Sequence, residues 1–160
     1  MTASILAGTL VVMSSPADTL VIIGPTASGK TDLAVSVAER LIAAGRPAEV
    51  VNADSMLVYR GMDIGTAKPT VAERAEVRHH LIDVADPWED YSVARFVADA
   101  SRCVDGILAR GALPILVGGT GLYLKALTTA MTLGETQGDG AIRSGLMALA
   151  EQENGKALLH

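Results

Sequence analysis

A chain of 160 residues with 49% hydrophobic but only 3% aromatic residues is long enough for one domain with an aliphatic core, which is typical of α/β folds. Its net charge of -5 argues against an extended nucleic-acid surface within this chain, since phosphate contacts need clustered Lys and Arg. The single cysteine, Cys103, excludes an internal disulfide framework, and no apolar run reaches the roughly 20 residues of a membrane span.

Composition shifts along the chain predict three parts. Residues 1–18 are expected to be an extension without fixed structure, because they precede the first strong strand signal. The main domain is predicted to cover residues 19–133. Residues 134–160 begin with a polar, glycine-rich linker and continue into an amphipathic helix over 141–153, which would start a helical C-terminal part.

The first predicted element is a strand over Thr19–Ile23, and a helix is predicted from about residue 29 to 44. Between them the chain spells G-x-x-x-x-G-K-T, as Gly24-Pro25-Thr26-Ala27-Ser28-Gly29-Lys30-Thr31. Such a loop wraps backbone N–H groups around a phosphate at the positive end of a helix. Lys30 would place its charge on the outer phosphate, and the Thr31 hydroxyl would hold Mg²⁺.

Further strands are predicted over 49–53, 80–84 and 113–117, and further helices over 73–78, 93–110 and 122–127. Short apolar strands that alternate with helices predict an α/β fold with a P-loop NTPase-like parallel sheet, helices on both faces, and a sheet that is incomplete in this chain. Ligands of such sheets bind at the carboxyl ends of the strands. Gly24, Asp54 and Thr120 each follow a strand, so we expect them to share one crevice.

Asp54 is the leading candidate for chemistry, as a magnesium ligand or a general base, with a turn cap as the structural alternative. Thr120 lies in a glycine-rich turn, where it either approaches a ligand or caps the next helix. An ATPase usually carries an acidic residue after an apolar strand. Asp83 could serve as that acid, but Asp54 competes for the role, so nucleoside triphosphate hydrolysis is not the obvious reaction.

Two pairs of ring-bearing residues are predicted to have structural roles. His79 and His80 are adjacent on an extended chain, so their side chains point to opposite faces and cannot easily ligate one ion. Trp88 and Tyr91 follow a turn signal, and we expect them to pack beside that turn rather than to form a base-stacking platform.

Four segments closely resemble the tRNA dimethylallyltransferase (IPP transferase) family: Gly24–Thr31, Asp54–Pro69, His79–Asp83 and Val117–Tyr123. The resemblance is strongest over residues 19–128 and implies that the chain is the N-terminal half of a longer protein. The implied reaction transfers the dimethylallyl group of dimethylallyl diphosphate to the exocyclic amine (N6) of the adenosine 3′ of the anticodon in tRNA. The implied cofactor is Mg²⁺, and the implied setting is a cytoplasmic monomer without membrane contact.

The resemblance also assigns roles to single residues. It implies that Gly24, Pro25, Thr26, Ala27, Ser28, Gly29, Lys30 and Thr31 hold the donor's diphosphate rather than ATP, with Thr31 on the metal. Asp54 matches the general base, and Asp54, Ser55, Met56 and Leu57 match a tRNA-contact segment; many relatives carry Gln at the position of Leu57. Thr120 matches a residue placed near both the reacting adenosine and the donor, with catalytic and tRNA-contacting roles.

Three alternatives remain open. A prenyltransferase that acts on free adenine nucleotides (an adenylate dimethylallyltransferase) would share the loop and Asp54, but we would not expect the Tyr59–Lys68 block in this form. A small-molecule P-loop kinase would turn over ATP. A non-catalytic remnant would bind phosphate without transferring any group to an acceptor.

Overall fold

The computed structural model describes residues 2–6, 9–14, 19–25, 27–128 and 144–149, with the backbone alone for the first two segments. The strands are β1 (Thr2–Leu6), β2 (Thr9–Ser14), β3 (Thr19–Ile23), β4 (Ala48–Asn52), β5 (His79–His80) and β6 (Leu113–Gly118). The helices are α1 (Lys30–Ala43), α2 (Val71–Glu76), α3 (Val93–Ala109) and α4 (Gly121–Thr128), and residues 144–149 are also helical.

The six strands form one sheet in the order β1-β2-β3-β6-β4-β5. Strands β3, β6, β4 and β5 are parallel to one another, with Leu20 beside Ile115 and Val50 beside the same residue on the other side. Every residue of β6 is buried, as expected for a central parallel strand that is covered on both faces. The predicted α/β fold is therefore confirmed.

Helices pack on both faces of the sheet. Successive side chains of a strand point to opposite faces, so each face has its own core cluster. On β3, Leu20 and Ile22 belong to a core cluster that α1 completes with Ala34 and Ala38. Val21 points to the opposite face and belongs to a second cluster, which includes Phe96 and other residues of α3. The predicted α3 boundaries are confirmed at its start, where the Ser92 hydroxyl accepts a hydrogen bond from the Arg95 amide.

Contrary to the prediction of an extension without fixed structure, strands β1 and β2 form an antiparallel hairpin within residues 1–18. The hairpin continues the sheet, since Leu10 of β2 lies beside Ile23 of β3 and Ser14 lies beside Thr19. One reason is the sequence of Leu10–Met13, whose residue types favour a strand. The other is that the backbone N–H and C=O groups of β3 on the side away from β6 need hydrogen-bond partners, which β2 provides.

The predicted strand 80–84 is shorter in the structure, because the chain bends directly after His80. Leu81 and Asp83 have φ values of 60° and 57°, in the left-handed region that cannot continue a strand. The bend brings the Asp83 amide to the Leu57 carbonyl at 3.1 Å. The linker predicted over 134–140 and most of the helix predicted over 141–153 lie outside the described residues. No helix in the described part of the chain is long and apolar enough to cross a membrane.

Candidate functional site

The loop between β3 and α1 has the backbone shape of an anion-binding turn. Ala27 and Gly29 have φ values of 61° and 74°, and Gly29 precedes α1 without any side-chain cap. The first N–H groups of α1 therefore have no capping side chain, which suits a phosphate ligand. A left-handed Ala is uncommon, and such conformations cluster at ligand sites. Thr26 lies outside the described residues.

Gly118, the last residue of β6, and Gly119, which follows it, let neighbouring backbone segments approach closely. A Cβ atom on Gly119 would lie 3.1 Å from the Gly24 carbonyl oxygen and 3.8 Å from Lys30 Nζ. A Cβ atom on Gly118 would lie only 2.2 Å from the Ala53 carbonyl oxygen. The Lys30 ammonium also donates a hydrogen bond to the Pro25 carbonyl at 3.1 Å, so it remains close to the loop's own backbone.

A cleft of about 510 Å³ lies where α1, β4 and the loop meet. Seven of the predicted site residues line it: Ala27, Ser28, Gly29, Lys30, Thr31, Asp54 and Leu57. Gly24, Pro25, Ser55, Met56 and Thr120 do not line it. The prediction of one shared crevice is thus met by Asp54 and by residues 27–31 of the loop, whereas Gly24 and Thr120 are not part of its lining.

The Asp54 carboxylate is oriented by a turn that its own side chain closes. Its Oδ1 accepts a hydrogen bond from the Met56 amide at 2.9 Å. The second carboxylate oxygen has no hydrogen-bond partner within the described segments, so it remains available to a ligand in the cleft. The turn cap therefore uses only one carboxylate oxygen and does not exclude a functional role for the other.

Asn52, which the sequence analysis did not single out, holds the backbone of Asp54. Its side chain accepts from the Asp54 amide at 3.1 Å and donates to the Asp54 carbonyl at 3.1 Å and the Leu81 carbonyl at 3.0 Å. The residue is 4% exposed. A polar residue at the end of an apolar strand could have indicated this role from the sequence, since buried polar groups are nearly always hydrogen-bonded.

Thr120 is bonded to the segment that follows Asp54. Its hydroxyl oxygen accepts from the Ser55 amide at 3.1 Å, and the hydroxyl lies 3.4 Å from Ser55 Oγ. The Thr120 carbonyl accepts from the amides of Tyr123 and Leu124. The backbone of Thr120, and not its side chain, therefore makes the first hydrogen bonds of α4. The side chain therefore fixes Ser55 and does not cap the helix.

Lys68 is buried, with 2% of its side chain exposed, and forms ion pairs with Asp63 at 2.8 Å and Asp83 at 2.6 Å. Burial alone would lower the pKa of Lys68, but hydrogen bonds to the two carboxylates outweigh it and raise the pKa. Asp83 also pairs with Arg74 at 2.7 Å. Burial opposes the ionisation of Asp83, yet both cations together hold its pKa below the usual range. Asp83 is thus engaged in ion pairs.

The two adjacent histidines have different environments, as predicted. His79 Nδ1 donates to the Val77 carbonyl at 2.6 Å, and its buried Nε2 has no partner within the described residues. Burial lowers the pKa of His79, which lines the cleft. His80 Nε2 lies 2.6 Å from Glu49 Oε2 at the sheet surface. The structural interpretation fits His80, whereas His79 faces the candidate site.

The prediction that Trp88 packs beside its turn is wrong, because this side chain is 83% exposed. Asp86 is partly buried, whereas Pro87 and Trp88 are exposed, so the turn leaves the indole in solvent. Tyr91 does pack: it is 7% exposed, and its hydroxyl donates to Asp99 at 3.0 Å. Burial, with Asp99 beside it, raises the pKa of the Tyr91 hydroxyl.

Across the described residues, no group of three or more His, Cys, Asp or Glu side chains is arranged to hold a metal ion. The cleft does contain the Thr31 hydroxyl and the Asp54 carboxylate. Mg²⁺ commonly takes one or two protein oxygens and fills its other positions with waters and substrate phosphates. The donor set fits a magnesium ion that arrives with a phosphate ligand.

Comparisons with known proteins give a consistent result. The family model described as IPP transferase matches residues 57–160. The tRNA dimethylallyltransferase of Paracidovorax citrulli is 58% identical over 139 residues, which are 87% of this chain and 39% of that protein. The chain thus spans about two fifths of the length of this curated relative.

Two solved structures share the fold. The full-length tRNA isopentenylpyrophosphate transferase of Bacillus halodurans has a TM-score of 0.65 and 48% identity, covering 82% of this chain and 42% of that one. A eukaryotic dimethylallyltransferase acting on tRNA has a TM-score of 0.61 and 29% identity, covering 82% of this chain and 35% of that one. In both cases the match covers less than half of a larger protein. This agrees with the prediction that the chain corresponds to the N-terminal half of a longer protein.

Proposed function

The chain belongs to the IPP transferase family, and from this premise we propose that it is the donor-binding half of a tRNA dimethylallyltransferase. The observation that carries the proposal is the cleft itself, in which Lys30, Thr31 and Asp54 line one cavity. A phosphate-binding loop and a carboxylate in one cavity suit a reaction in which diphosphate leaves while an acceptor loses a proton.

In the proposed reaction the exocyclic amine (N6) of an adenosine 3′ of the anticodon attacks the allylic carbon of dimethylallyl diphosphate. A C–N bond forms, the C–O bond to diphosphate breaks, and the amine proton passes to Asp54. The Lys30 ammonium and the loop amides would stabilise the negative charge that develops on the leaving diphosphate. Mg²⁺, held by the Thr31 hydroxyl and the diphosphate oxygens, would supply further neutralisation of that charge.

Asp54 is suited to receive the proton late in the reaction. Its Oδ1 accepts from the Met56 amide, which leaves the other oxygen for the acceptor amine. The amine becomes acidic only as its new bond forms, so a carboxylate can act as its base. A positioned base contributes about 10²–10⁴-fold to the rate.

A small-molecule kinase is less well supported. Such an enzyme needs an acidic group on the metal or near the attacking oxygen. Asp83, the alternative acid in the sequence, is engaged with Lys68 and Arg74. Asp54 alone would have to serve as metal ligand and base. Dimethylallyl diphosphate is therefore the proposed donor, and the tRNA anticodon loop the proposed acceptor, for a monomeric cytoplasmic enzyme.

The test is transfer of a labelled dimethylallyl group to unmodified tRNA in the presence of Mg²⁺. The Asp54→Ala variant should lose about 10²–10⁴-fold in transfer rate but retain diphosphate binding. Asp90→Ala, which removes an exposed carboxylate, is the matched control and should behave as the wild type. AMP in place of tRNA tests the free-nucleotide alternative, and ATP turnover tests the kinase alternative.

Each outcome has a separate meaning. Transfer to tRNA that disappears in Asp54→Ala supports a working prenyltransferase. Diphosphate binding without transfer indicates that the chain alone is only the donor-binding half. Preference for AMP as acceptor, or for ATP over dimethylallyl diphosphate as donor, would overturn the proposal.

A further inference from the structure

We propose that Asn52 is a positioning residue for Asp54, and that the Leu81 carbonyl is the anchor against which Asn52 holds it. This inference rests on the proposed function, since it concerns the group that would take the proton. It goes further by assigning the precise placement of that carboxylate to a residue two positions earlier in the chain.

The hydrogen bonds of Asn52 use both ends of its amide. Oδ1 accepts from the Asp54 N–H, while Nδ2 donates to the Asp54 carbonyl and also to the Leu81 carbonyl. Only an amide of this length offers an acceptor and two donors at one position. Asn52 is 4% exposed, so water cannot easily replace these bonds.

The next residue is held from the other side. The Ser55 amide donates to the Thr120 hydroxyl, which follows β6. The Ala53 amide donates to the Val117 carbonyl at 2.7 Å and continues the β4–β6 ladder by one residue. Three consecutive amides are therefore held in place: that of Ala53 by β6, that of Asp54 by Asn52, and that of Ser55 by Thr120. This leaves the Asp54 carboxylate with little freedom.

The anchor is itself unusual. Leu81 has a φ of 60°, a conformation that a leucine adopts only when the surroundings require it. The following bend is held by Asp83, which bonds to the buried Lys68. Asn52 thus connects the end of β4 to a bend that the ion pairs of the Tyr59–Lys68 block keep in place.

The first part of the test needs no turnover. Asn52→Ala removes all three bonds, whereas Asn52→Asp preserves the shape and one acceptor but removes both donors. Amide hydrogen exchange at Asp54 should become about tenfold faster or more in Asn52→Ala, the factor expected when one net hydrogen bond is lost, and should be accelerated less in Asn52→Asp, which keeps the acceptor for this amide. Diphosphate binding should change by less than about threefold, since the loop is not part of this network.

Tyr91→Phe is the matched control, because it removes one largely buried side-chain hydrogen bond at α3, away from Asp54. It should leave exchange at Asp54 unchanged. If exchange at Asp54 stays at the wild-type rate in Asn52→Ala, the inference is wrong, whatever the outcome of the transfer assay. Wild-type protein that transfers nothing bears on the proposed function alone.

The second part is a double-mutant cycle in the transfer assay. Asn52→Ala should lower kcat about 10- to 100-fold with little change in KM for the donor. In the Asp54→Ala background the same substitution should have no further effect, because Asn52 acts through the missing carboxylate. Equal losses of rate in both backgrounds would show a merely structural role and overturn the proposal.

Discussion

Gly118, Gly119 and Gly121, at the end of β6 and just after it, permit a graded test, because a side chain at each would meet different surroundings. In Gly118→Ala the new Cβ would lie 2.2 Å from the Ala53 carbonyl oxygen and 2.4 Å from its carbonyl carbon. Carbon–oxygen contacts are normally about 3.3 Å or longer, so the two strands would have to separate by about 1 Å. The Ala53–Val117 hydrogen bond lies at this point and would be lost.

The cost has two parts. Overpacking in a close-packed interior costs about 1–3 kcal/mol, and a buried backbone group left without a partner costs a similar amount. We expect Gly118→Ala to lower the free energy of unfolding by about 2–6 kcal/mol, which in a chain of this size lowers Tm by on the order of 10 °C.

Two neighbouring variants serve as controls in the same motif. Gly121→Ala meets no atom within 4 Å at the start of α4 and should be neutral or slightly stabilising. Gly119→Ala faces the Gly24 carbonyl at 3.1 Å and Lys30 Nζ at 3.8 Å, so it should fold but bind diphosphate more weakly. Thermal unfolding by circular dichroism and diphosphate calorimetry measure both effects. A Gly118→Ala protein that melts with the wild type would refute the reasoning.

Lys68→Met should destabilise the protein by about 1.5–3 kcal/mol in urea unfolding, because Asp83 loses a charged hydrogen-bond partner and keeps only Arg74; a loss below about 0.5 kcal/mol would contradict this. Lys30→Ala should weaken diphosphate binding at least about tenfold in calorimetry while Tm stays unchanged, since the hydrogen bond of Lys30 to the Pro25 carbonyl is exposed. Burial lowers the pKa of His79, so its ring should stay neutral, with the proton on Nδ1, at pH values somewhat below the ordinary histidine pKa. ¹⁵N NMR can show this protonation state. Because the unfolded state then binds the extra proton more readily, the contribution of His79 to stability should fall as pH drops below about 6.5, and His79→Gln should remove that dependence.

The parts of the site that the sequence predicts well are local in the chain. The phosphate loop needs only consecutive residues, and the start of α3 needs only Ser92 before an apolar helical pattern. Asp54 could be placed because it directly follows a buried strand, and strands of a parallel sheet end at one edge.

The missed features depend on residues that are distant in sequence. Asn52 finds Leu81 29 positions later, and Lys68 finds Asp83 15 positions later. No periodicity encodes such pairs, because they depend on the bend after β5, where Leu81 takes a conformation that its residue type does not favour. The hairpin of β1 and β2 was missed for a related reason, since its place in the sheet depends on the free side of β3.

The bend after β5 also determines how this side of the sheet meets solvent and other molecules. A long, straight outer strand would offer a row of unpaired N–H and C=O groups to a second chain and invite aggregation. Here β5 has only two residues, and the chain that follows pairs with residues 57–60 of the same molecule, including a parallel bridge between Tyr59 and Ala85. Residues 57–60, which belong to one of the four segments that resemble the family, therefore cover this edge and leave fewer unpaired backbone groups for a second chain.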